Sequence, residues 1–268
     1  MINKIAIIGG GNLGTAIAKG LVHAGRPFNG DLVVTRRRIQ LIRYLEKEGI
    51  KVTNDNVEAA TDAGLVVLAV KPYQLEDILK EILPVLKSDA LLISLAAGVS
   101  SSAISEMAGG RKGIFRVMPN TAISIGESMT CVSSYKATEG EDQEIRSLFE
   151  PMGEVQFIPE ELMASATVLA ACGIAFALRF IRASTQGGVE IGFGSDLALR
   201  IASQTVKGAA ELLIQDKTHP EEEIDKVTTP RGITISGLNE MEHQGFSSSL
   251  IKGLIASFEK IENASKKR

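Results

Sequence analysis

The sequence predicts an α/β chain: a doubly wound, mostly parallel sheet over residues 1–159, followed by an all-helical domain over residues 160–268. Short apolar runs alternate with helical segments up to Ile158, the rhythm of βαβ units and so of a parallel sheet with helices on both faces. The first run, Lys4–Ile8, stops at glycines and leads into an Ala/Ile/Leu helix. Past Pro159 the strand-like runs cease and only helical runs remain.

In chain order, the first helix ends near Gly25, and Asp31–Val34 reads as a second strand. A helix over Ile39–Glu48, a strand piece at Ile50–Val52 and a helical turn at Val57–Ala60 follow. Leu65–Val70 is fully apolar, as a strand buried on both faces should be, and ends at Lys71-Pro72. Then come a helix over Leu75–Leu86, a strand at Leu91–Leu95, a helix at Ser101–Met107 and a strand at Ile114–Val117. Met129–Ser133 and Glu154–Ile158, around a helix at Glu139–Glu150, complete the sheet. The helical half comprises Glu161–Thr185, Asp196–Gln215, Gly232–Glu242 and Ser247–Lys267. Ser195 is a candidate N-cap, and Leu197, Ile201, Thr205, Ala209 and Leu213 recur as one face expected to be buried.

Composition narrows the function. The net charge of −3 lacks the basic footprint of a nucleic-acid binder. Two widely separated cysteines, Cys131 and Cys172, argue against a disulfide framework and for a reducing compartment. No basic leader precedes Ile5, so the cytoplasm is the expected location. Leu162–Leu178 carries no charge, and such a length approaches the ~20 residues that span a bilayer. Its many small residues, with Glu160, Glu161 and Arg179 close by, favour a helix buried in a core or subunit interface over a membrane span.

The chemistry begins at Gly9, Gly11 and Gly14, which fall on the G-x-G-x-x-G spacing. The first glycine permits the turn, the second lets the backbone approach a pyrophosphate, and the third lets the helix press on the strand. The helix N-terminus around Asn12 and Leu13 offers free N–H groups to phosphate. Where an acidic residue would grip the ribose of NAD, this chain has Thr35-Arg36-Arg37-Arg38. Guanidinium groups pair with a 2′-phosphate, so NADP (NADPH) is the expected cofactor, with NAD the alternative.

With these residues in view, the chain resembles the pyrroline-5-carboxylate reductase family. The resemblance is carried by Ile8–Gly14, Leu68–Pro72, Leu95–Ser100, Arg116–Thr121, Phe149–Gly153 and Pro230–Ile235, in the family's order and over nearly the whole chain. It implies NADPH-dependent reduction of 1-pyrroline-5-carboxylate to L-proline, by hydride transfer to the imine carbon. It places Asn56 near the adenosine ribose, and Ala69, Val70, Lys71, Pro72, Ala97 and Asn120 at the nicotinamide end. It also implies that Arg231, Gly232 and Ile233 hold the substrate carboxylate at a helix start, with Thr234 beside the imine nitrogen. Met118, Pro119, Cys172 and Gly173 complete the substrate side, and Asn120 and Thr234 are the catalytic candidates. The helical half becomes a dimerisation domain, giving an intertwined homodimer, with further assembly of dimers open.

The absence of an evident general acid fits an imine, which binds as a protonated iminium and needs chiefly orientation and a polar partner for nitrogen. His23, His219 and His243 lack metal-ligand spacing, and no metal is expected. The chain departs from the family where substrate would lie. The family's Ser-Gly-Ser-Gly-Pro-Ala-Tyr reads Ala170-Ala171-Cys172-Gly173-Ile174-Ala175-Phe176, and the first of two glycines after Pro230 is Arg231. Ile174 for proline should straighten any kink. Arg231 either adds a cation for the carboxylate or strains a turn that wants glycine. Another cyclic imine, a small carboxylated substrate, or nucleotide binding without catalysis are the alternatives.

Overall fold

A computed structural model describes residues 2–25, 28 and 30–266. The chain forms two compact units, Met1–Cys172 with Phe258–Arg268, and Gly173–Ser257.

The first unit is built on one sheet of eight strands: β1 (Lys4–Ile8), β2 (Asp31–Thr35), β3 (Lys51–Thr53), β4 (Leu65–Leu68), β5 (Leu91–Ser94), β6 (Ile114–Met118), β7 (Ser128–Tyr135) and β8 (Gly153–Phe157). Their spatial order is β3-β2-β1-β4-β5-β6-β7-β8. The first six are mutually parallel, whereas β7 runs antiparallel to β6 and parallel to β8. Alternate residues of β1 face opposite layers: Ile5 and Ile7 join one apolar cluster with Val34, Val67 and Phe115, while Ala6 and Ile8 join another with Leu68, Leu79 and Ile104. Both faces are covered, which is why these strands read as unbroken apolar runs. Each such Leu or Ile contributes about 1.5–3 kcal/mol by leaving water.

The helices of this unit are α1 (Asn12–His23), α2 (Asn56–Ala60), α3 (Leu75–Ile82), α4 (Ser101–Met107), α5 (Glu139–Phe149) and α6 (Met163–Ala166). Residues 39–48 correct the expected α-helix. They form two tight 3-10 pieces, Ile39–Leu41 and Arg43–Glu48, parted at Ile42. Ile42 and Leu45 are both fully buried, and anchors three residues apart suit the 3-10 repeat better than the 3.6-residue turn.

From Thr167 to Cys172 the backbone winds as a π-helix. The regular helix α7 (Gly173–Glu190) follows it in sequence. The missing proline at Ile174 therefore does not give one uniform α-helix. Nor is the run buried within the chain, as a core helix would be: Leu169 is 72% and Leu178 58% exposed. By length and composition alone, Glu160–Glu190 is long and apolar enough to cross a membrane.

In the second unit, α7 packs along α8 (Ser195–Asp216), and α9 (Pro220–Lys226) and α10 (Ile233–His243) follow; α11 (Phe246–Lys266) begins in this unit and from Phe258 belongs to the first. Two expectations for α8 are corrected. Its N-cap is Gly194, with no side-chain cap, rather than Ser195. Its buried residues are Ala198 and Ala202, while Leu197, Ile201, Thr205 and Ala209 are exposed and Leu213 half-buried. The small residues seat α8: a β-carbon on Gly188 would lie 3.0 Å from that of Ala198. α9 had no sequence counterpart; His219 caps it, its Nδ1 accepting the Glu221 N–H at 3.3 Å.

Candidate active site

Between β1 and β4 the chain changes direction across the sheet, and an open parallel sheet binds ligands in the crevice at such a switch point. The two strand ends are pinned together, the Ala69 N–H donating to the Ile8 carbonyl at 2.8 Å. Gly9 has φ 114°, and a side chain there would run into the Ala69 carbonyl. One at Gly14 would strike the Gly9 carbonyl, so this glycine lets α1 sit against the turn. Gly11 differs: among the described residues, nothing lies within 4 Å of where its β-carbon would be. No protein atom demands a glycine there; a ligand approaching the backbone would. Gly11 also caps α1 without a side-chain acceptor, so the first-turn N–H groups around Asn12, Leu13 and Gly14 are left to a ligand. This open cradle fits the pyrophosphate of a dinucleotide.

Beside it, Thr35 is 3% exposed at the end of β2. Its Oγ1 accepts the Gly9 N–H at 3.3 Å and its hydroxyl donates to Asn56 Oδ1 at 2.8 Å, while its carbonyl accepts the Gly10 N–H at 2.6 Å. Asn56 Nδ2 donates to Glu81 Oε2 at 3.0 Å. Arg36 Nη1 donates to the Gly10 carbonyl at 2.8 Å, anchoring a half-buried guanidinium on the glycine loop, while Arg37 and Arg38 are exposed. No carboxylate stands at Arg36–Arg38 to repel a phosphate on the ribose.

The loops after β4, β5 and β6 open at the same edge. Ala69, Val70, Pro72 and Ala97 are half-buried, and Lys71 is exposed, its backbone N–H donating to Gln74 Oε1 at 3.2 Å. Met118 and Pro119 are buried, Met118 pairing with Cys131 across the antiparallel ladder. Asn120 is engaged at both ends of its amide. Oδ1 accepts the Ala122 N–H at 3.0 Å, capping a 3-10 turn, and Nδ2 donates to the Ala170 carbonyl of the π segment at 3.5 Å. Cys172, which ends that segment, is half-buried, and both cysteines are free. Burial pushes the Cys131 thiol above its ordinary value.

Sequence reasoning missed one group. Arg116, 7% exposed in β6, donates to Glu160 Oε1 at 3.1 Å, and the same oxygen accepts the Ser101 N–H at 2.6 Å. Burial alone would raise the Glu160 pKa, but the Ser101 N–H and the Arg116 guanidinium outweigh it and hold the carboxyl below its ordinary value. The clue was available: an arginine inside Ile114-Phe115-Arg116-Val117 cannot be buried without a partner.

In the second unit, Thr229-Pro230-Arg231-Gly232 closes a turn, the Gly232 N–H donating to the Thr229 carbonyl at 2.9 Å. Arg231 has φ 59°. Proline second and a positive φ third are the signature of a type II turn, whose third residue is usually glycine. Gly232 then caps α10 with no side-chain bond, and Ile233 and Thr234 are exposed in its first turn. His23, His219 and His243 are all exposed.

Known proteins share this architecture. Residues 160–264 match the model described as pyrroline-5-carboxylate reductase dimerisation, and residues 4–98 one described as NADP oxidoreductase coenzyme F420-dependent. Pyrroline-5-carboxylate reductase 2 of Dictyostelium discoideum is 43% identical over 96% of this chain and 91% of its own length. Reductase 1 of the same organism is 44% identical over 96% of this chain, which spans 49% of that longer relative. The crystal structure of Plasmodium falciparum pyrroline carboxylate reductase with NADP bound superposes with a TM-score of 0.87, at 27% identity over 98% of each chain. Whole-length identity, matched architecture and an intact glycine loop agree: the chain belongs to the pyrroline-5-carboxylate reductase family.

Proposed function

We propose that this protein reduces 1-pyrroline-5-carboxylate to L-proline with NADPH. The observation that carries the reading is 43% identity to a pyrroline-5-carboxylate reductase across 91% of that relative's length. The crevice supports the cofactor assignment through the open Gly11 and through Arg36, anchored on Gly10 beside the place of a 2′-phosphate. NADPH, when bound, supplies the hydride. Gly9–Gly14 would hold its pyrophosphate, Thr35–Arg37 and Asn56 its adenosine half, and Ala69–Pro72 with Ala97 its nicotinamide end.

The remaining work falls to side chains and helix ends. The uncapped start of α10, at Gly232 and Ile233, offers N–H donors to the substrate carboxylate. The Thr234 hydroxyl partners the iminium nitrogen, and no proton need be delivered to the carbon that receives hydride. Substrate already protonated on nitrogen becomes the secondary amine when one hydride reaches carbon, so charge and atoms balance. Met118, Pro119, Asn120, Cys172, Gly173 and Arg231 shape the substrate side.

A second copy covers the exposed apolar helical surface, which includes Leu169, Leu178 and Ile214. Large apolar side chains left exposed along helices are what an interface covers, and the homodimer accounts for the 160–190 helix without a membrane. The free cysteines suit the cytoplasm. Following NADPH oxidation against pyrroline-5-carboxylate, piperideine carboxylate and small keto acids tests the reading. Turnover should be fastest with pyrroline-5-carboxylate, and Thr234→Ala should lower kcat by about 100-fold, an amount ordinary for a polar transition-state partner, while NADPH binding changes little. Preference for a keto acid, or full turnover in Thr234→Ala, would overturn it.

A further inference from the structure

We propose that Glu81, on α3, is a positioning residue for the dinucleotide, acting through Asn56 and Thr35 on the glycine turn; this rests on the reading that the chain binds NADPH. Four groups form one line of hydrogen bonds: Glu81 Oε2 with Asn56 Nδ2 at 3.0 Å, Asn56 Oδ1 with the Thr35 hydroxyl at 2.8 Å, and Thr35 Oγ1 with the Gly9 N–H at 3.3 Å. An amide and a hydroxyl can each point either way, so nothing within Asn56 and Thr35 decides the direction of this line. The ends decide it. An ionised carboxylate only accepts, and a backbone N–H only donates.

Facing Glu81, Asn56 must turn its NH2 toward α3 and its Oδ1 toward β2. The Thr35 hydroxyl then has an acceptor for its proton, and a lone pair stays free for Gly9. Were the amide reversed, its NH2 would compete with the Gly9 N–H for Thr35 Oγ1, and the hydroxyl proton would lose its acceptor. Thr35 is 3% exposed, so water cannot easily repair the loss. Glu81 therefore supports the orientation that leaves a Thr35 Oγ1 lone pair to the Gly9 N–H, and fixes which way Asn56 offers its remaining N–H and Oδ1 lone pair.

The sign of the effect separates this role from simple electrostatics. Glu81 bears a negative charge hydrogen-bonded to Asn56, the residue assigned to the adenosine half of a cofactor rich in phosphate, so its charge alone opposes binding. Removing it should tighten NADPH if charge is all that matters, and weaken NADPH if orientation matters. Glu81 is exposed, so its variants keep the fold.

The test is a fluorescence titration of NADPH onto the full chain, with steady-state assays alongside. Glu81→Ala should raise the NADPH Kd about three- to tenfold, within the net worth of one ordinary hydrogen bond. Glu81→Gln, whose Oε1 still accepts, should stay within about twofold. In an Asn56→Ala background, Glu81→Ala should add nothing, because the line is already cut. In the Glu81 single variants saturating-cofactor kcat should not move, and any fall in melting temperature seen in Glu81→Ala should be reversed in Glu81→Gln. Unchanged or tighter binding by Glu81→Ala, or equal weakening in the Asn56→Ala background, would overturn the proposal. Failure of the wild type to bind NADPH would instead overturn the cofactor assignment, and this inference with it.

Discussion

Arg231 holds a left-handed backbone, φ 59°, in a turn whose sequence calls for glycine. An L-residue there costs about 1–2 kcal/mol in the folded state, against which glycine loses about 0.5–1 kcal/mol through the freer unfolded chain. Arg231→Gly should therefore stabilise the protein by roughly 0.5–1 kcal/mol and raise the melting temperature by about 1–4 °C, read by calorimetry. If Arg231 also touches the substrate carboxylate, the same variant raises the KM for the imine and leaves that for NADPH alone. Arg36 shows the complementary case, a side chain with one donor spent on its own loop and the rest available. Arg36→Ala should weaken NADPH about tenfold and NADH by less, since NADH lacks the 2′-phosphate but still needs Gly10 held; equal losses, measured by titration, would remove the phosphate contact. Both residues stood out in the sequence because arginine occupied a place with a known demand. Glu81 did not, since its effect depends on two other side chains meeting it.

Among the elements, strands were the most legible, because two covered faces write a continuous apolar run bounded by turn residues. Residues 39–48 and the π segment were not. Over six residues the 3.0-, 3.6- and wider π repeats place apolar side chains too similarly to be told apart. The faces of α8 misled for another reason: its large residues at Leu197 and Ile201 are exposed, while Ala198 and Ala202 are buried and Ala198 makes the close approach to Gly188. Arg116–Glu160 ties β6 to the start of α4, and thereby the loops that precede Asn120 and follow Ala97. Glu160→Gln should cost about 1–3 kcal/mol at neutral pH, since it leaves a buried guanidinium without its counter-charge. The sign of the pH dependence follows from the lowered carboxyl: its contribution is present above the ordinary value of 4.5 and is lost as pH falls through the lower folded value. Wild type and variant should thus converge in melting temperature as the solution is acidified below that value; a gap that stays constant would show that the ion pair does not stabilise the fold.

For the whole molecule, the doubly wound sheet and the helical remainder were readable from the alternation of runs and its end near Pro159, and the antiparallel β7 was not, because strand direction leaves no local mark. The apolar helical surface makes one prediction at this scale. Ile201→Glu should break the assembly, giving a smaller species by light scattering and reduced turnover, whereas the same change on a polar position of α8, Gln204→Glu, should do neither. A monomeric wild type would refute the interface. One consequence lies in the order of the strands. Ile8 pairs with Thr35 and with Leu68, and the second partner is made only after two further strands have been translated. A nascent chain therefore carries its phosphate motif long before it owns the crevice, and any fragment ending short of Leu68 keeps the glycines without a binding site.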